Sequence, residues 1–338
     1  MRIGRTRKTL KDIAGEAKLS IATVSQILND KPCNFSSEET KIKVKNIAQA
    51  MGYRPNIGYK IMMGAKTKTV AIVISIPATR SDEHIQKLIL LLSEKLLQKG
   101  YASYVSTLTL DENENISVVE ELVQRGVEHF VMIGSPRGYK RIQKIFDENA
   151  KTHIGYNSVF ERNINFDVVP AVEVILKFFL SEKRVNFKML LENNFYSGRF
   201  TALKNIFKNS TNEELQKKYV VPVDNLLEIS SEFDKHAFTI GYETTRDIIE
   251  KDPSVRALFY LNDYFAVGGL KYLVEKHYEI GRDIAIAGFN NIHAVRCSPF
   301  PISSVEHNIE RISELILNEL FTKTPFKIYE KPEIHIRK

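Results

Sequence analysis

The sequence is poor in the features that mark several protein classes. Its 338 residues include two cysteines, Cys33 and Cys297, too few for a disulfide framework or a four-cysteine metal site. Long apolar runs are also lacking: the longest, 88–92 and 172–180 (the second broken by Glu173 and Lys177), fall short of a bilayer span. No apolar segment follows the charges of Met1-Arg-Ile-Gly-Arg-Thr-Arg-Lys8, so no secretory signal is read and a cytoplasmic chain is expected, with no membrane partner. Signatures of catalysis are missing too. There is no Walker loop, no Rossmann glycine fingerprint, no G-x-S-x-G elbow and no H-E-x-x-H, and the eight histidines are scattered without metal-ligand spacing. Neither an enzyme nor a metal or other cofactor is expected.

What is present is an ordinary globular composition, 43% apolar and 26% charged, with charge unevenly placed. Residues 1–66 carry 13 Lys and Arg against 5 Asp and Glu, and residues 67–338 carry 35 against 36. The net charge of +7 therefore belongs to the first fifth of the chain. A basic module beside a neutral one points to a polyanion, nucleic acid first, with a merely solvated basic face as the alternative. The length allows two or three modules, each with its own core.

In the basic module, Thr9 is a good N-cap, and Leu10, Ile13, Ala14 and Ala17 share one helical face. Lys18-Leu19 makes a tight connection. Ser20 caps a second helix through about Asn29, with Ile21, Val24, Ile27 and Leu28 at three-four spacing. Ser36-Ser-Glu-Glu39 reads as a capping box opening a third helix, which runs to Met51 and stops at Gly52. Two helices across a very short turn, braced by a third, form a helix-turn-helix outline that any small three-helix bundle could share.

The residues themselves go further. Thr9-Leu-Lys-Asp-Ile-Ala14, Leu19-Ser-Ile-Ala-Thr-Val-Ser25, Leu28-Asn29, Ser37-Glu-Glu-Thr40 and Gly52-Tyr-Arg-Pro-Asn56 closely resemble the DNA-binding domain of the LacI/GalR (lactose/galactose repressor) family, nearly continuously over 8–57. The resemblance implies that the helix from Ser20 enters the major groove of double-stranded operator DNA, with Ile21, Ala22 and Gln26 toward base edges. Ile21 as a plain core residue is the alternative. Thr9, Ser20, Thr23, Ser25 and Asn29 would hold mostly phosphates, and Tyr53 falls within the matching Gly52–Asn56 motif. Gln26 departs from the family's usual arginine, and its amide suits adenine where arginine suits guanine. In the following Ile57-Gly-Tyr-Lys-Ile-Met-Met-Gly-Ala-Lys66, Met62 aligns with a leucine that wedges into the minor groove from a helix formed only on DNA. Gly58 and Gly64 each make such a helix costlier by up to ~1 kcal/mol, so a flexible linker is the alternative.

From Thr69 the pattern alternates. Residues 70–76, 102–108, 129–133, 188–191, 219–223, 257–260 and 284–288 read as strands. Helical stretches at 84–99, 115–125, 138–149, 172–180, 199–208, 242–250 and 266–277 separate them. That order implies doubly wound parallel α/β sheets with ligands at the strands' carboxyl ends, and about 270 residues imply two lobes. Arg256-Ala-Leu-Phe-Tyr-Leu-Asn-Asp263, Ala266-Val-Gly-Gly-Leu-Lys271, Ile280-Gly-Arg-Asp-Ile-Ala-Ile-Ala-Gly-Phe-Asn290 and Gly241-Tyr-Glu243 resemble the same family's effector domain, which is similar to periplasmic sugar-binding proteins.

The resemblance thus implies a helix-turn-helix DNA-binding domain (1–57), a hinge (58–67) and an effector-binding and dimerisation domain (68–338). Within the last, the N-lobe is expected at about 68–157 and 293–321, and the C-lobe at about 158–292 and 322–338. Carried over by position, the interlobe cleft should contain Arg199, Asn262 and Asn290, with 78–82 contributing from the N-lobe. Asn290 departs from the family's usual aspartate. His307 stands where some relatives carry glutamine, and His236 near the slot of a stacking aromatic; an ordinary structural role is the alternative for both. Arg80, Arg137 and Arg199 follow predicted strands, and with no carboxylate at 290 they suggest an anionic effector such as a sugar phosphate. For Arg80 and Arg137, solvated loop positions are the alternative. The expectation is a ligand-controlled regulator, most often a repressor, acting as a homodimer on a pseudo-palindromic operator. A solute-binding protein or an α/β enzyme is the alternative.

Overall fold

A computed structural model describes residues 8–29, 36–54, 61, 66–75, 82–191, 197–223, 233–322 and 324–338. The chain divides into two compact units, Met1–Lys66 and Thr67–Lys338.

The first unit holds helices α1 (Leu10–Ala17), α2 (Ile21–Leu28) and α3 (Glu38–Ala50). Thr9 caps α1 in a reciprocal box with Asp12, and Ser20 caps α2 through the N–H of Thr23. Lys18 turns the chain between them in the left-handed conformation (φ 55°). The third cap differs from expectation. Ser37, not Ser36, accepts from the N–H of Thr40, and α3 begins at Glu38. Because Ser36 and Ser37 are adjacent, composition could not fix the register, and the serine with Thr40 at its third position takes the role. Ile13, Ala14, Ala17, Val24, Ile27, Val44 and Ala48 form the core.

The second unit contains β1 (Thr69–Ile74), α4 (Glu83–Gln98), β2 (Ala102–Thr107), α5 (Glu112–Gln124), β3 (His129–Ile133), α6 (Tyr139–Glu148), β4 (Thr152–Tyr156), β5 (Asn163–Phe166), α7 (Val168–Ser181), β6 (Phe187–Leu191), α8 (Gly198–Ile206), α9 (Asn212–Tyr219), β7 (Val220–Pro222), α10 (Phe233–Lys251), β8 (Ala257–Phe259), α11 (Asp263–Glu275), β9 (Ala285–Phe289), α12 (His293–Arg296), β10 (Ile302–Glu306), α13 (Ile309–Glu319), β11 (Lys327–Glu330) and β12 (Glu333–His335). They build two six-stranded sheets, ordered β11-β5-β4-β3-β1-β2 and β12-β10-β9-β8-β6-β7. Among the described residues, every pairing is parallel except β10 with β12.

The central strands of each sheet are buried on both faces, which is why β1, β3, β8 and β9 read as continuous apolar runs, with the odd small residue among them. In β1, Val70 and Ile72 pack with α4 and α13, while Ala71 and Val73 pack on the other face with α5 and α6. In the second lobe, α10 and α11 cross closely at glycines. A Cβ on Gly241 would strike the backbone of Phe265, and one on Gly268 the backbone of Phe238.

Three strand placements correct the expected lobe boundaries. β5 (163–166) pairs with β4, so the first crossing lies at about 167, beyond the expected 157. β10, expected in the N-lobe, pairs with β9 from Ile302↔Ile286 onward and belongs to the second sheet. β11, expected in the C-lobe, pairs with β5 in the first. The physical cause for β10 is its buried run Ile302–Val305, whose Ser304 hydroxyl donates to the buried Asp263 of the second lobe at 2.8 Å. The chain therefore crosses between lobes near 167, 307 and 331.

Candidate functional site

In the first unit the candidate surface is the N-terminal half of α2. Ile21 is 48% exposed, so it is not a core residue; Val24 and Ile27 supply that face. Ala22 and Gln26 are exposed beside it, and Thr23 and Ser25 are half-buried. The hydroxyls of Ser20 and Thr23 lie 2.8 Å apart at the helix start, where backbone N–H groups and the helix dipole favour an anion. Thr9 is exposed and its hydroxyl donates to Asp12 at 2.9 Å. Asn29 turns inward, its amide donating to the carbonyl of Ser25 at 2.8 Å to close α2. Tyr53 is half-buried against the core. Met62 lies outside the described residues.

In the second unit, one group of polar and aromatic residues meets at the carboxyl ends of the strands. His307, just past β10, is buried and central. Its Nδ1 lies 2.7 Å from the hydroxyl of Tyr156 at the end of β4. Its ring stacks on His84 (4.3 Å between centroids, 9° between planes) and leans on Phe166 at 3.8 Å. Burial holds both imidazoles neutral, lowering His84 to about 4 and His307 well below its ordinary value, where His84 and Arg199 also disfavour the charge. Arg199, at the start of α8, sets its guanidinium over the Phe289 ring at 4.7 Å and donates to the carbonyl of Leu261 at 3.0 Å. Arg199 and His307 are thus brought together around Phe289.

Asn290 follows β9 with φ 94° and donates its N–H to Val305 at 2.7 Å. Asn262 stands at the carboxyl end of β8, but its side-chain oxygen is committed to capping α11, accepting from Tyr264 N at 3.0 Å and Phe265 N at 3.4 Å; its NH2 group remains the part that can donate to a ligand. His236 is not with them. It is exposed in the first turn of α10, whose apolar stripe points the neighbouring Ala237 inward. Arg137 is exposed in the loop after β3. Arg80 and most of 78–82 lie outside the described residues.

Sequence reasoning missed His84, and with it Tyr156, Phe166 and Phe289. Asp82 is described and buried; its Oδ1 and His84 Nδ1 are shielded and have no hydrogen-bond partner. Burial raises the Asp82 carboxyl to about 7. His84 as a residue is half-buried, while its Nδ1 is enclosed. No local pattern marks a His–His stack whose members are over two hundred positions apart. A metal is poorly served: Glu306, Glu333 and His335 bring ligand atoms within 4.8 Å, but His335 already pairs with Glu306 at 2.7 Å and Asn308 donates to Glu333 at 2.9 Å.

The chain's likenesses agree with this geometry. Residues 9–56 match the family model described as bacterial regulatory proteins, lacI family, and residues 201–334 match that of a periplasmic binding protein-like domain. The HTH-type transcriptional repressor PurR of Mannheimia succiniciproducens is 21% identical over 354 residues, covering 98% of both chains. An HTH-type transcriptional regulator of Lachnoclostridium phytofermentans is 24% identical over 311 residues, covering 89% of this chain and 88% of its own. Among solved structures, the Lac repressor dimer bound to operator and the anti-inducer ONPF superposes with a TM-score of 0.79 at 15% identity, over 98% of this chain and 99% of that one. The transcriptional regulator CelR in complex with cellobiose gives 0.64 at 16% identity, over 98% and 99%.

Proposed function

This chain belongs to the LacI family of bacterial regulatory proteins, and on that premise we propose that it is a cytoplasmic transcriptional repressor that binds a pseudo-palindromic operator as a homodimer and answers to a small effector in the interlobe cleft. The observation that carries this reading is the outward face of α2. An isoleucine 48% exposed beside Ala22 and Gln26, at the start of a capped helix in the basic module, lies outside the buried core and suits a major-groove contact.

Support for a second copy comes from the first lobe. β2 is an edge strand, with Tyr104 and Val105 exposed, and Leu90 and Leu97 on neighbouring α4 are about 70% exposed. An apolar edge of this kind is a template for pairing, and a two-fold dimer presents two recognition helices to a two-fold site. In the cleft, Arg199 and the NH2 of Asn262 offer donors, and Asp82 and His84 offer acceptors. That set fits a sugar-like molecule, with Arg199 the described group that would take the phosphate of a sugar phosphate. A fold relative carrying cellobiose favours the sugar class. Effector binding would change lobe closure, and with it operator affinity, by its differential affinity for the two closures.

Selection of duplexes from a random pool by the full chain tests this reading. A two-fold-symmetric site with adenine facing Gln26 is expected. A pool without enrichment would reject the regulator and return attention to a solute-binding protein or an α/β enzyme.

A further inference from the structure

Glu83 opens α4 of the first lobe, yet its carboxylate is engaged from the second. Oε2 accepts the backbone N–H of His293 at 2.7 Å, and Oε1 accepts from Arg296 Nη2 at 3.0 Å. Both partners belong to α12, which is separated by only its N-cap Ile292 from Asn290 and Asn291, two consecutive residues in the left-handed region (φ 94° and 45°). Such a pair fixes the direction in which α12 leaves β9. Charge-assisted bonds of this length are the stronger kind, and these join elements of different lobes.

Each charged group also has a partner within its own lobe. Lys87, one turn along α4, lies 2.6 Å from Glu83 Oε1. Arg296 donates to the carbonyl of Asn291 at 2.8 Å, and its Nη1 stands 4.0 Å from Glu306 Oε1 at the end of β10. Parting the lobes at this point therefore strands neither charge. The large penalty that normally follows breaking a semi-buried pair comes from an uncompensated charge, and here it is avoided. An element with two satisfied arrangements is what a conformational switch requires. Its position is equally telling: Asp82 and His84 flank Glu83 on the cleft side, and Asn290 precedes α12 on the other. A molecule held between them acts on both halves of the contact.

We propose that Glu83 is a latch between the lobes, closed on Arg296 and the His293 N–H and released when the lobes rotate, Glu83 then keeping Lys87 and Arg296 keeping Glu306, so that occupancy of the cleft sets operator affinity through it. The latch deepens the regulator reading and rests on it.

The test uses the full chain with Glu83→Gln, Arg296→Gln and the double variant. Glu83→Gln is nearly isosteric and keeps an oxygen for the His293 N–H. Arg296→Lys, which keeps the charge, serves as a milder variant should Arg296→Gln not fold. Two readouts are taken: Kd for the duplex selected by the unaltered protein, and radius of gyration by small-angle X-ray scattering. Each single variant is expected to enlarge the radius of gyration and to change Kd at least ~5-fold in one common direction, the lower end of ordinary allosteric coupling. The double variant is expected to match the larger single, because both remove one contact. Singles within twofold of the unaltered Kd, effects that multiply in the double, or a changed Kd with unchanged dimensions overturn the latch. Should the unaltered protein select no duplex, the regulator reading fails instead, and the scattering comparison still judges the contact between lobes.

Discussion

Replacing Asp82 with asparagine should make stability less sensitive to pH, by an amount the burial of this carboxyl sets. Asp82 is 8% exposed, its Oδ1 has no partner, and burial raises its pKa from 3.8 to about 7. In the unfolded chain the group ionises near 3.8 and in the folded chain near 7, so between those values the unfolded state holds fewer protons. Stability therefore falls as pH rises through this window and levels off above about 7. At 1.36 kcal/mol per pKa unit the whole effect is on the order of 4 kcal/mol. Asp263, buried and also raised to about 7, acts in the same window. The unaltered protein alone would not separate them, but its difference from Asp82→Asn does. Urea unfolding of both full chains at pH 4, 5, 6, 7 and 8, followed by circular dichroism, should show the variant gaining on the unaltered protein by up to about 4 kcal/mol from pH 4 to 8. A difference that stays flat across that range would refute the reasoning, because it would mean that Asp82 folds already ionised.

Other expectations follow from particular contacts. Gln26→Arg should shift the selected base from adenine to guanine at one position in each half-site, read by repeating the duplex selection; an unchanged adenine would show that residue 26 does not read that base pair. Gly268→Ala should cost at least about 1–3 kcal/mol in urea unfolding, because its methyl meets the backbone of Phe238; stability equal to that of the unaltered chain would mean that α10 and α11 yield freely. Leu97→Glu should lower the mass seen in sedimentation toward that of one chain, since Leu97 is 72% exposed on the apolar face beside the edge strand; an unaltered dimer would move the two-fold contact elsewhere.

The parts of this molecule that were legible in its sequence are those whose causes are local. Thr9 and Ser20 declare helix starts because their hydroxyls serve N–H groups three residues away, and Gly52 declares a stop because it takes φ 63°. The buried strands show as apolar β-branched runs for the same reason. Ser36 and Ser37 mark the limit of that logic, since both qualify and only register decides. The lobe boundaries were out of reach because they depend on pairing. Ile302–Glu306 and Lys327–Glu330 are both short strands, and what assigns them to opposite sheets is the partner each finds, β9 for one and β5 for the other. The cleft was legible only in part. Resemblance named Arg199 and His307, and the fold brings both to the Phe289 ring. The stack of His307 on His84 and its bond to Tyr156 join segments 223 and 151 residues apart, and nothing near any of the three predicts the others. Asn262 stands where expected, but its oxygen serves the helix, a use invisible without the backbone around it.

The central claim is that the basic first unit holds operator DNA, and it is tested most directly by measuring Kd for the selected duplex across 50–200 mM salt, for the full chain and for the chain lacking residues 1–66. If six or more phosphates are neutralised per dimer, the full chain should lose roughly 10³-fold in affinity over that range, and the truncated chain should show no specific binding at any salt. Affinity that is indifferent to salt, or that survives the truncation, would contradict the account.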